Sequence, residues 1–244
     1  LDTVAKRIVS FGFTDAKGNF KLDLKTNTTY NVKISYIGSS EISQFDNEGI
    51  GVSVEMNDNT GDYLTAPANT ALAMGSGAFT MEAWVYNVCG FSTDAILECR
   101  NDYTSAAGYA FLITSSGYLN VYTNSGFVGQ SSTALALGTW YHIALVRVGT
   151  GSNQTTYYIN GVASGTITLS GNFTDATFAS TTIGGTPGGE NFSGYISNVR
   201  IVKGTAVYTS GFTPSTTPLT AIANTSCLLY TSPSPRDRQK SRMP

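Results

Sequence analysis

Scarcity of histidine and of charge is the first property of this sequence, which has one histidine and only 12% charged residues among 244. One histidine makes neither a zinc site nor a serine–histidine–aspartate triad convincing. The net charge is −2 and the sequence has no basic stripe, so nucleic acid is not an expected partner. No apolar run approaches the ~20 residues of a membrane span, so membrane insertion is not expected either.

Cysteine is also scarce, and the odd number of three cysteines argues against a full disulfide framework. Cys89 and Cys99 lie near the facing ends of two candidate neighbouring strands, where they form either a bridge or two buried free thiols. The sequence has no initiating methionine and no signal-like segment, so we expect a truncated N-terminus.

Turn-forming and aromatic residues are abundant instead, with 26 Gly, 14 Tyr and 12 Phe. This mixture is typical of short strands joined by many turns, and no long stretch has a competing helical period. The pattern predicts an all-β sandwich with strands that include residues 79–86, 95–99, 109–114, 118–123, 140–148, 155–159, 181–183 and 195–202. The Asn-Gly pair at 160–161 predicts a tight hairpin turn, because both residues tolerate positive φ.

Residues 1–40 carry a separate β pattern. Apolar Phe20, Leu22 and Leu24 alternate with polar residues, and the stretch 30–36 alternates in the same way, which predicts a hairpin. The segments TDAKGNFKLDL and TTYNVKISYIG resemble the end of a carboxypeptidase-regulatory-like domain. We therefore expect an N-terminal β-hairpin remnant of a truncated β-sandwich over residues 1–40, followed by a linker over residues 41–52. Because a lone hairpin is marginal in water, the alternative is that it docks on the main domain.

The C-terminal residues differ in composition from the rest of the chain. The segment CLLYTSPSPRD, residues 227–237, resembles the translated sequence of an adapter used to prepare sequencing libraries. Its prolines resist regular structure, and basic residues follow it closely. We expect residues 227–244 to be a non-native tail, the alternative being a native, disordered basic tail. This leaves residues 53–226 as the main domain.

Several motifs occur in order along this main domain: GDYL at 61–64, FTMEAWV at 79–85, GTWYHIALVR at 138–147, YING at 158–161 and GYISNVRI at 194–201. Together they resemble a laminin-G-like domain of the concanavalin A-like lectin/glucanase superfamily. The segment VRIVKGTAVYTSGFTPSTTPLTAI resembles laminin-G-like domains of phage structural proteins and marine microbial surface proteins. The resemblance implies an antiparallel two-sheet jelly-roll sandwich.

The same resemblance implies a non-catalytic glycan-binding or adhesion module at the surface of a larger extracellular or virion protein. Its partners would be a glycan or a cell-surface receptor, together with other domains of the parent chain. A first alternative is a purely structural display domain of a tail fibre or surface protein. A second alternative, a glycoside hydrolase, is disfavoured because the Glu-x-Asp-x-x-Glu motif of concanavalin-like glucanases is absent.

Ligand-binding candidates follow from strand alternation. One face of the strand at 79–85 is apolar, whereas Glu82 and Trp84 lie on the other face, which in a curved sandwich lines a groove where saccharides stack. The alternative is that Trp84 packs beneath a covering loop. Tyr122, Asn198 and Arg200 complete the candidate ligand-binding set. His142 is expected to be a hydrogen-bonded structural residue.

Calcium is the cofactor that the resemblance implies, held at the rim by Asp or Asn side chains and loop carbonyls. Candidate ligands in turn-rich segments are Asp62, Asp94, Asp102 and Asp175. The alternative is that these are solvated loop carboxylates. Ser197 and Asn198 replace the aspartate pair that the family has before the VRI strand, which weakens any contribution to a metal site from this edge.

Overall fold

The structure is a computed structural model that describes residues 53–57, 63–67, 70–88, 90, 92–99, 108–123, 126–171, 180–186 and 189–229. It contains one short 3-10 helix, Thr70–Leu72, and these strands: β1 (Val54–Asn57), β2 (Leu64–Pro67), β3 (Phe79–Asn87), β4 (Asp94–Glu98), β5 (Tyr109–Ile113), β6 (Tyr118–Thr123), β7 (Gly126–Ala134), β8 (Trp140–Arg147), β9 (Thr155–Ile159), β10 (Val162–Ile167), β11 (Ser180–Ile183), β12 (Ser193–Lys203) and β13 (Thr225–Leu229). No helix of the described residues is long and apolar enough to cross a membrane.

The strands form two antiparallel sheets. The back sheet has the order β1-β12-β3-β8-β9-β10, with β13 also paired to β12, and the front sheet has the order β2-β11-β4-β5-β6-β7. β1 pairs with residues 193–196 of β12 and β13 with residues 199–202, so each covers one half of this long strand. The predicted all-β, two-sheet jelly-roll sandwich is confirmed.

The core lies between the sheets and is built by strand alternation. Phe79, Met81, Ala83 and Val85 of β3 all enter the main hydrophobic cluster, as predicted from their shared face. Alternate residues of β5 and β6 from the front sheet meet them, including Phe111. Each of the larger side chains contributes roughly 1.5–3 kcal/mol by leaving water, so the two apolar faces hold the sheets together.

The β9–β10 hairpin has the turn that its Asn-Gly pair predicts. Asn160 and Gly161 have φ values of +50° and +76°, and Ile159 pairs directly with Val162. A Cβ atom on Gly161 would lie 1.8 Å from the carbonyl oxygen of Phe212. Glycine is therefore required here both by the backbone conformation and by the close approach of another segment.

That other segment, residues 204–222, is irregular and crosses the outer face of the back sheet; we call it the strap. Its Ala206, Tyr208 and Phe212 pack against the outward side chains of β8 and β9, including Tyr158. Hydrogen bonds fasten it along its length, namely Thr80 Oγ1 to Thr205 O (3.0 Å), Val207 N to Thr80 Oγ1 (2.8 Å), Phe212 N to Gly161 O (3.0 Å) and Trp84 Nε1 to Ser215 O (3.3 Å). The strap thus closes part of a sheet face that would otherwise meet solvent.

Cys99 is a buried free thiol, 3.5 Å from Thr181 Oγ1. Of the two alternatives for this cysteine, the free thiol is confirmed. Burial raises the pKa of the Cys99 thiol to about 12, although hydrogen bonds with Tyr109 and Thr181 oppose that shift. Cys89 lies outside the described residues.

The predicted domain boundaries stay predictions. Cys227 belongs to β13, where it pairs with Ile201 and packs against the core, so the boundary placed after residue 226 falls inside a strand. The non-native origin of residues 227–244 stays a prediction. The predicted hairpin remnant at 1–40 and linker at 41–52 lie outside the described residues.

Candidate functional site

The outer face of the back sheet collects four of the five predicted ligand-binding residues. Glu82 and Trp84 lie on β3, and Asn198 and Arg200 lie on the adjacent strand β12. Glu82 is the register partner of Arg200. Tyr122 lies on β6 of the front sheet, so the structure does not bring it together with the other four.

Glu82 is the centre of a buried polar cluster, and its side chain has 0% relative exposure. Arg200 donates to Oε1 from Nε at 2.7 Å and approaches the same oxygen with Nη2 at 2.6 Å. Tyr208 of the strap donates its hydroxyl to Oε2 at 2.8 Å, and His142 Nε2 lies 3.0 Å from Oε2. The four acceptor positions of an ionised carboxylate are thereby filled. The expected hydrogen-bonded structural histidine is confirmed.

The electrostatics of this cluster favour the charged form of Glu82. Burial alone would raise the pKa of its carboxyl, but the hydrogen bond with His142, the positive charge of Arg200 and the hydrogen bond from Tyr208 together hold that pKa below its usual value. A saturated, ionised carboxylate has no remaining lone pair for a substrate. What the arrangement does is fasten the strap, since Tyr208 donates to Glu82 and Thr220 accepts from Arg200 Nη1 at 3.1 Å.

Trp84 lies under the strap and is half-buried. Its indole ring meets the ring of His142 edge-on at 5.5 Å, and its Nε1 donates to the strap at Ser215 O. Phe212 in turn stacks face to face on Tyr208 at 3.6 Å. The ring arrangement is that of the alternative interpretation, in which Trp84 packs beneath a covering segment.

Asn198 occupies a bulge in β12. Its φ is +50°, and the pairing of β12 with β3 shifts register between Ser197 and Arg200. Its side-chain oxygen accepts a hydrogen bond from Leu219 N of the strap at 2.9 Å, and its Nδ2 donates to Ser197 Oγ at 3.2 Å. Asn198 is 1% exposed, so it also holds the strap. The ligand-binding role of these four back-sheet residues stays a prediction.

The outer face of the front sheet, which we call the front face, has a different composition. Strand register places Thr182, Glu98, Ala110, Tyr122 and Phe127 in one row across β11, β4, β5, β6 and β7. A second row contains Leu112, Asn120 and Gln130. Because their neighbours along each strand enter the core, the side chains of both rows point away from it. Only Phe127 and Gln130 are exposed and Tyr122 is half-buried, whereas the other residues of the two rows are 0–4% exposed.

Two aromatic rings form a corner at the β6–β7 end of this face. The centroids of Tyr122 and Phe127 are 5.1 Å apart and their planes are perpendicular, at 90°. Phe127 is 56% exposed, and it is the one aromatic side chain in the described part of the chain that is classed as exposed. A single exposed apolar side chain is ordinary on a protein surface, but an exposed ring that packs against a second ring is a candidate surface on which a ligand could stack.

Polar groups accompany this corner. The side-chain oxygen of Asn120 is buried and has no hydrogen-bond donor among the described residues. Gln130, its register partner, is exposed and offers both donors and an acceptor. A buried acceptor without a donor costs about 1–3 kcal/mol, so a hydroxyl group that reached Asn120 would recover part of that energy.

Phe127, Asn120 and Gln130 were missed by sequence reasoning. Asn120 could have been found, since it lies on the same strand face as the predicted Tyr122. Phe127 and Gln130 lie on β7, a strand for which the sequence gives little signal. Gly126 and Gly129 have positive φ, and its pairing with β6 shifts register twice, so no regular alternation is visible.

A further aromatic row lies at the end of the back sheet that adjoins β1. The ring of Tyr86 is 5.5 Å from that of Trp140 and 6.0 Å from that of Tyr195, and the rings are tilted by 47° and 59°. Tyr195 donates its hydroxyl to Glu55 Oε1 at 3.3 Å. All three rings are half-buried, so this row presents less free ring surface than Phe127.

The predicted calcium ligands are described only at Asp94. Its Oδ2 accepts from Asn87 Nδ2 at 2.7 Å, and its Oδ1 accepts from Ser92 Oγ at 2.7 Å. These donors engage both oxygens of the carboxylate. Asp62, Asp102 and Asp175 lie outside the described residues. Among the described residues, no group of three or more His, Cys, Asp or Glu is placed to hold a metal. Calcium stays a prediction.

Similar solved structures share this sandwich at low identity. A candidate carbohydrate-binding protein from Bacteroides ovatus is 19% identical over 64% of this chain and 45% of its own, with a TM-score of 0.48. The fourth domain of an extracellular arabinanase from Geobacillus stearothermophilus, in complex with arabinotriose, is 20% identical over 62% of this chain and 70% of its own, with a TM-score of 0.48. A sialidase carbohydrate-binding module from Ruminococcus gnavus, bound to α2,3 sialyllactose, is 12% identical over 64% of this chain and 91% of its own, with a TM-score of 0.49. Likeness at this level concerns the fold and not the function.

Comparison with the curated proteins finds no match. The family comparison is specific: the laminin-G-like model described as the concanavalin A-like lectin/glucanases superfamily matches residues 58–207, which is more than half of the chain. The matched residues run from the segment before β2 into the strap, and so include most strands of both sheets. The chain therefore belongs to the concanavalin A-like lectin/glucanases superfamily.

Proposed function

We propose that this domain is a non-catalytic module that binds glycans at the aromatic corner of the front face. Membership in a superfamily of lectins and glucanases supports a carbohydrate ligand, but one fold hosts many functions, so the ligand has to be inferred from the site. The observation that carries the proposal is the exposed ring of Phe127, set perpendicular to Tyr122 on the sheet face that the strap does not cover.

The chemistry of the corner suits a sugar. A pyranose ring has a face of C–H groups that packs on an aromatic ring and a rim of hydroxyl groups that needs donors and acceptors. Phe127 supplies the apolar surface and Tyr122 a second wall, while Asn120 and Gln130 supply amide groups one row away. Ligand sites of this kind combine apolar surface with a few placed polar groups.

Absence of catalysis is part of the proposal. Glycoside hydrolysis uses two carboxyl groups roughly 5–9.5 Å apart that flank the bond to be cleaved. Glu82 is saturated by hydrogen bonds beneath the strap, and Glu98 is the one carboxylate in the two rows of the front face described above. These positions support binding without cleavage.

The test is binding to a glycan array by the full chain and by three variants. Phe127→Ala should weaken binding roughly tenfold, because an aromatic contact contributes about 0.5–1.5 kcal/mol beyond its buried area and ~1.4 kcal/mol is a factor of ten. Val162→Ala is the matched control, since Val162 is 68% exposed on the opposite edge strand β10. The affinity of the Val162→Ala variant for glycans should equal that of the full chain.

Trp140→Ala distinguishes the front corner from the aromatic row of the back sheet. Binding that survives in Phe127→Ala and disappears in a folded Trp140→Ala variant would contradict the proposed site. Repeating the array with a calcium chelator tests the predicted cofactor, since a calcium-dependent ligand dissociates on chelation. The predicted setting in adhesion, in a virion or outside the cell stays a prediction.

A further inference from the structure

The strands of the front sheet carry negative but no positive side chains. Its six strands contain no Lys, Arg or His, and their only formally charged residues are Asp94 and Glu98. The polar side chains beside the aromatic corner are neutral: Asn120 and Gln130 in the adjacent row, and the hydroxyl of Tyr122 itself. The strands therefore offer amides, a hydroxyl and aromatic surface, and no cation, to a ligand at this corner, while the connecting residues 100–107 and 124–125 lie outside the described part of the chain.

We propose that the corner formed by Tyr122 and Phe127 selects neutral glycans and discriminates against sialylated, sulfated and other anionic ones. This inference rests on the proposed glycan-binding function and names its ligand class. The anionic groups on such sugars are recognised by charge-assisted hydrogen bonds, most effectively from the planar fork of arginine. An anionic sugar at the corner would lose part of its hydration without gaining such a partner from these strands.

Neutral sugars match the groups that are present. A hydroxyl group can donate to the buried oxygen of Asn120, which has no donor within the described residues. A carboxylate or sulfate cannot do so, because it is acceptor-only and would place an anion against a carbonyl-type oxygen. The oxygen of Asn120 thus calls for a hydroxyl donor and does not favour a carboxylate or sulfate group at that position.

A substitution at Gln130 should give the domain affinity for anionic glycans. Gln130 is exposed, so a larger side chain fits without repacking, and as the register partner of Asn120 it lies one row from the corner. Gln130→Arg would place a guanidinium at the ligand and supply the missing cation. Ser132→Arg on the same strand is the matched control, because Ser132 is also exposed but lies two residues further from Phe127.

The experiment is an array of neutral oligosaccharides beside their sialylated and sulfated counterparts, with titration calorimetry on the best pair. The full chain should bind the neutral member at least roughly tenfold more tightly than its anionic counterpart. Gln130→Arg should reduce or reverse that ratio, and Ser132→Arg should change it less. Phe127→Ala should weaken binding to every ligand of the full chain.

The outcomes separate this inference from the proposed function. Preference for anionic glycans that Phe127→Ala abolishes would overturn the ligand class while leaving the proposed site in place. Equal binding of both classes would also overturn it. Glycan binding unaffected by Phe127→Ala would overturn the site, and no binding of any glycan by a folded sample would overturn the proposed function and this inference with it.

Discussion

Replacing Arg200 with methionine should destabilise the domain strongly. Methionine keeps much of the length of the side chain but removes the cation that contacts Glu82 Oε1 through Nε and Nη2. It also removes the donor to Thr220 O on the strap. Breaking a buried ion pair by removing one partner costs about 3–5 kcal/mol, because the remaining charge stays buried without compensation.

Urea unfolding followed by tryptophan fluorescence measures this effect, and Trp84, two residues from Glu82 on β3, is a local reporter. With denaturant slopes of about 1–3 kcal/mol/M, the midpoint for Arg200→Met should fall by at least ~1 M. Lys203→Met is the matched control on the same strand, since the hydrogen bond from Lys203 Nζ to Thr70 O is exposed. It should cost less than about 1 kcal/mol.

A double variant tests the reasoning itself. Glu82→Leu with Arg200→Met replaces both charges of this pair by apolar groups and leaves neither member buried without its partner, so it should cost clearly less than the sum of the two single variants. A loss below ~1 kcal/mol for Arg200→Met alone would refute the argument, because the pair would then behave as a solvent-screened surface ion pair. A double variant that lost as much unfolding free energy as the two single variants together would also refute the argument.

Three further predictions follow from the same contacts. The pKa of Glu82 is held below its usual value in the folded protein. The ionised carboxylate therefore stabilises the fold above about pH 4.5, and this contribution is lost as the pH falls toward the pKa of the folded state. With increasing acidity, the unfolding free energy should fall more steeply in the parent chain than in Arg200→Met. Gly161→Ala should lower the urea midpoint more than Gly204→Ala. Both glycines have positive φ (+76° and +83°), but only a Cβ atom on Gly161 would meet a backbone oxygen, that of Phe212. Equal midpoints would show that the strap moves away from the added methyl group at no cost in stability. Since burial raises the pKa of Cys99 to about 12, peptide mapping after thiol labelling should find it unmodified in the native protein and modified in urea, and labelling under native conditions would contradict its burial.

Strands with regular alternation and explicit turns were predictable from the sequence. The predicted strand at 79–86 corresponds to β3 (Phe79–Asn87), and the strands 118–123 and 155–159 match β6 and β9 at both ends. The Asn-Gly turn was predictable because its requirement for positive φ is local. β7 was not, because its glycines and bulges interrupt the alternation on which such a prediction depends.

The polar cluster of the back sheet was less accessible to sequence reasoning. Glu82 and Arg200 are 118 residues apart, and Tyr208 is 126 residues from Glu82, so only the pairing of β3 with β12 and the path of the strap bring them together. Strand alternation in the sequence correctly predicted that Glu82 lies on the strand face opposite the apolar one, but no local pattern shows that an irregular segment will cover it. The same limit applies to Tyr122, whose neighbour Phe127 becomes visible only once β6 and β7 are paired.

Stability and ligand binding should be separable in this domain because they depend on opposite faces of the sandwich. The strap and its anchors Glu82 and Arg200 lie outside the back sheet, whereas Phe127 lies on the outer face of the front sheet, with the hydrophobic core between them. Sheets pack ~10 Å apart, and sites at such distances without shared partners contribute almost additively. Arg200→Met should therefore lower the unfolding free energy while leaving glycan affinity unchanged at temperatures where the variant is folded. Phe127→Ala should lower glycan affinity while leaving the unfolding free energy unchanged. A variant of the strap anchors that changed affinity in the folded state would mean that the two faces are coupled through the core, and the corner could then not be treated as an independent site.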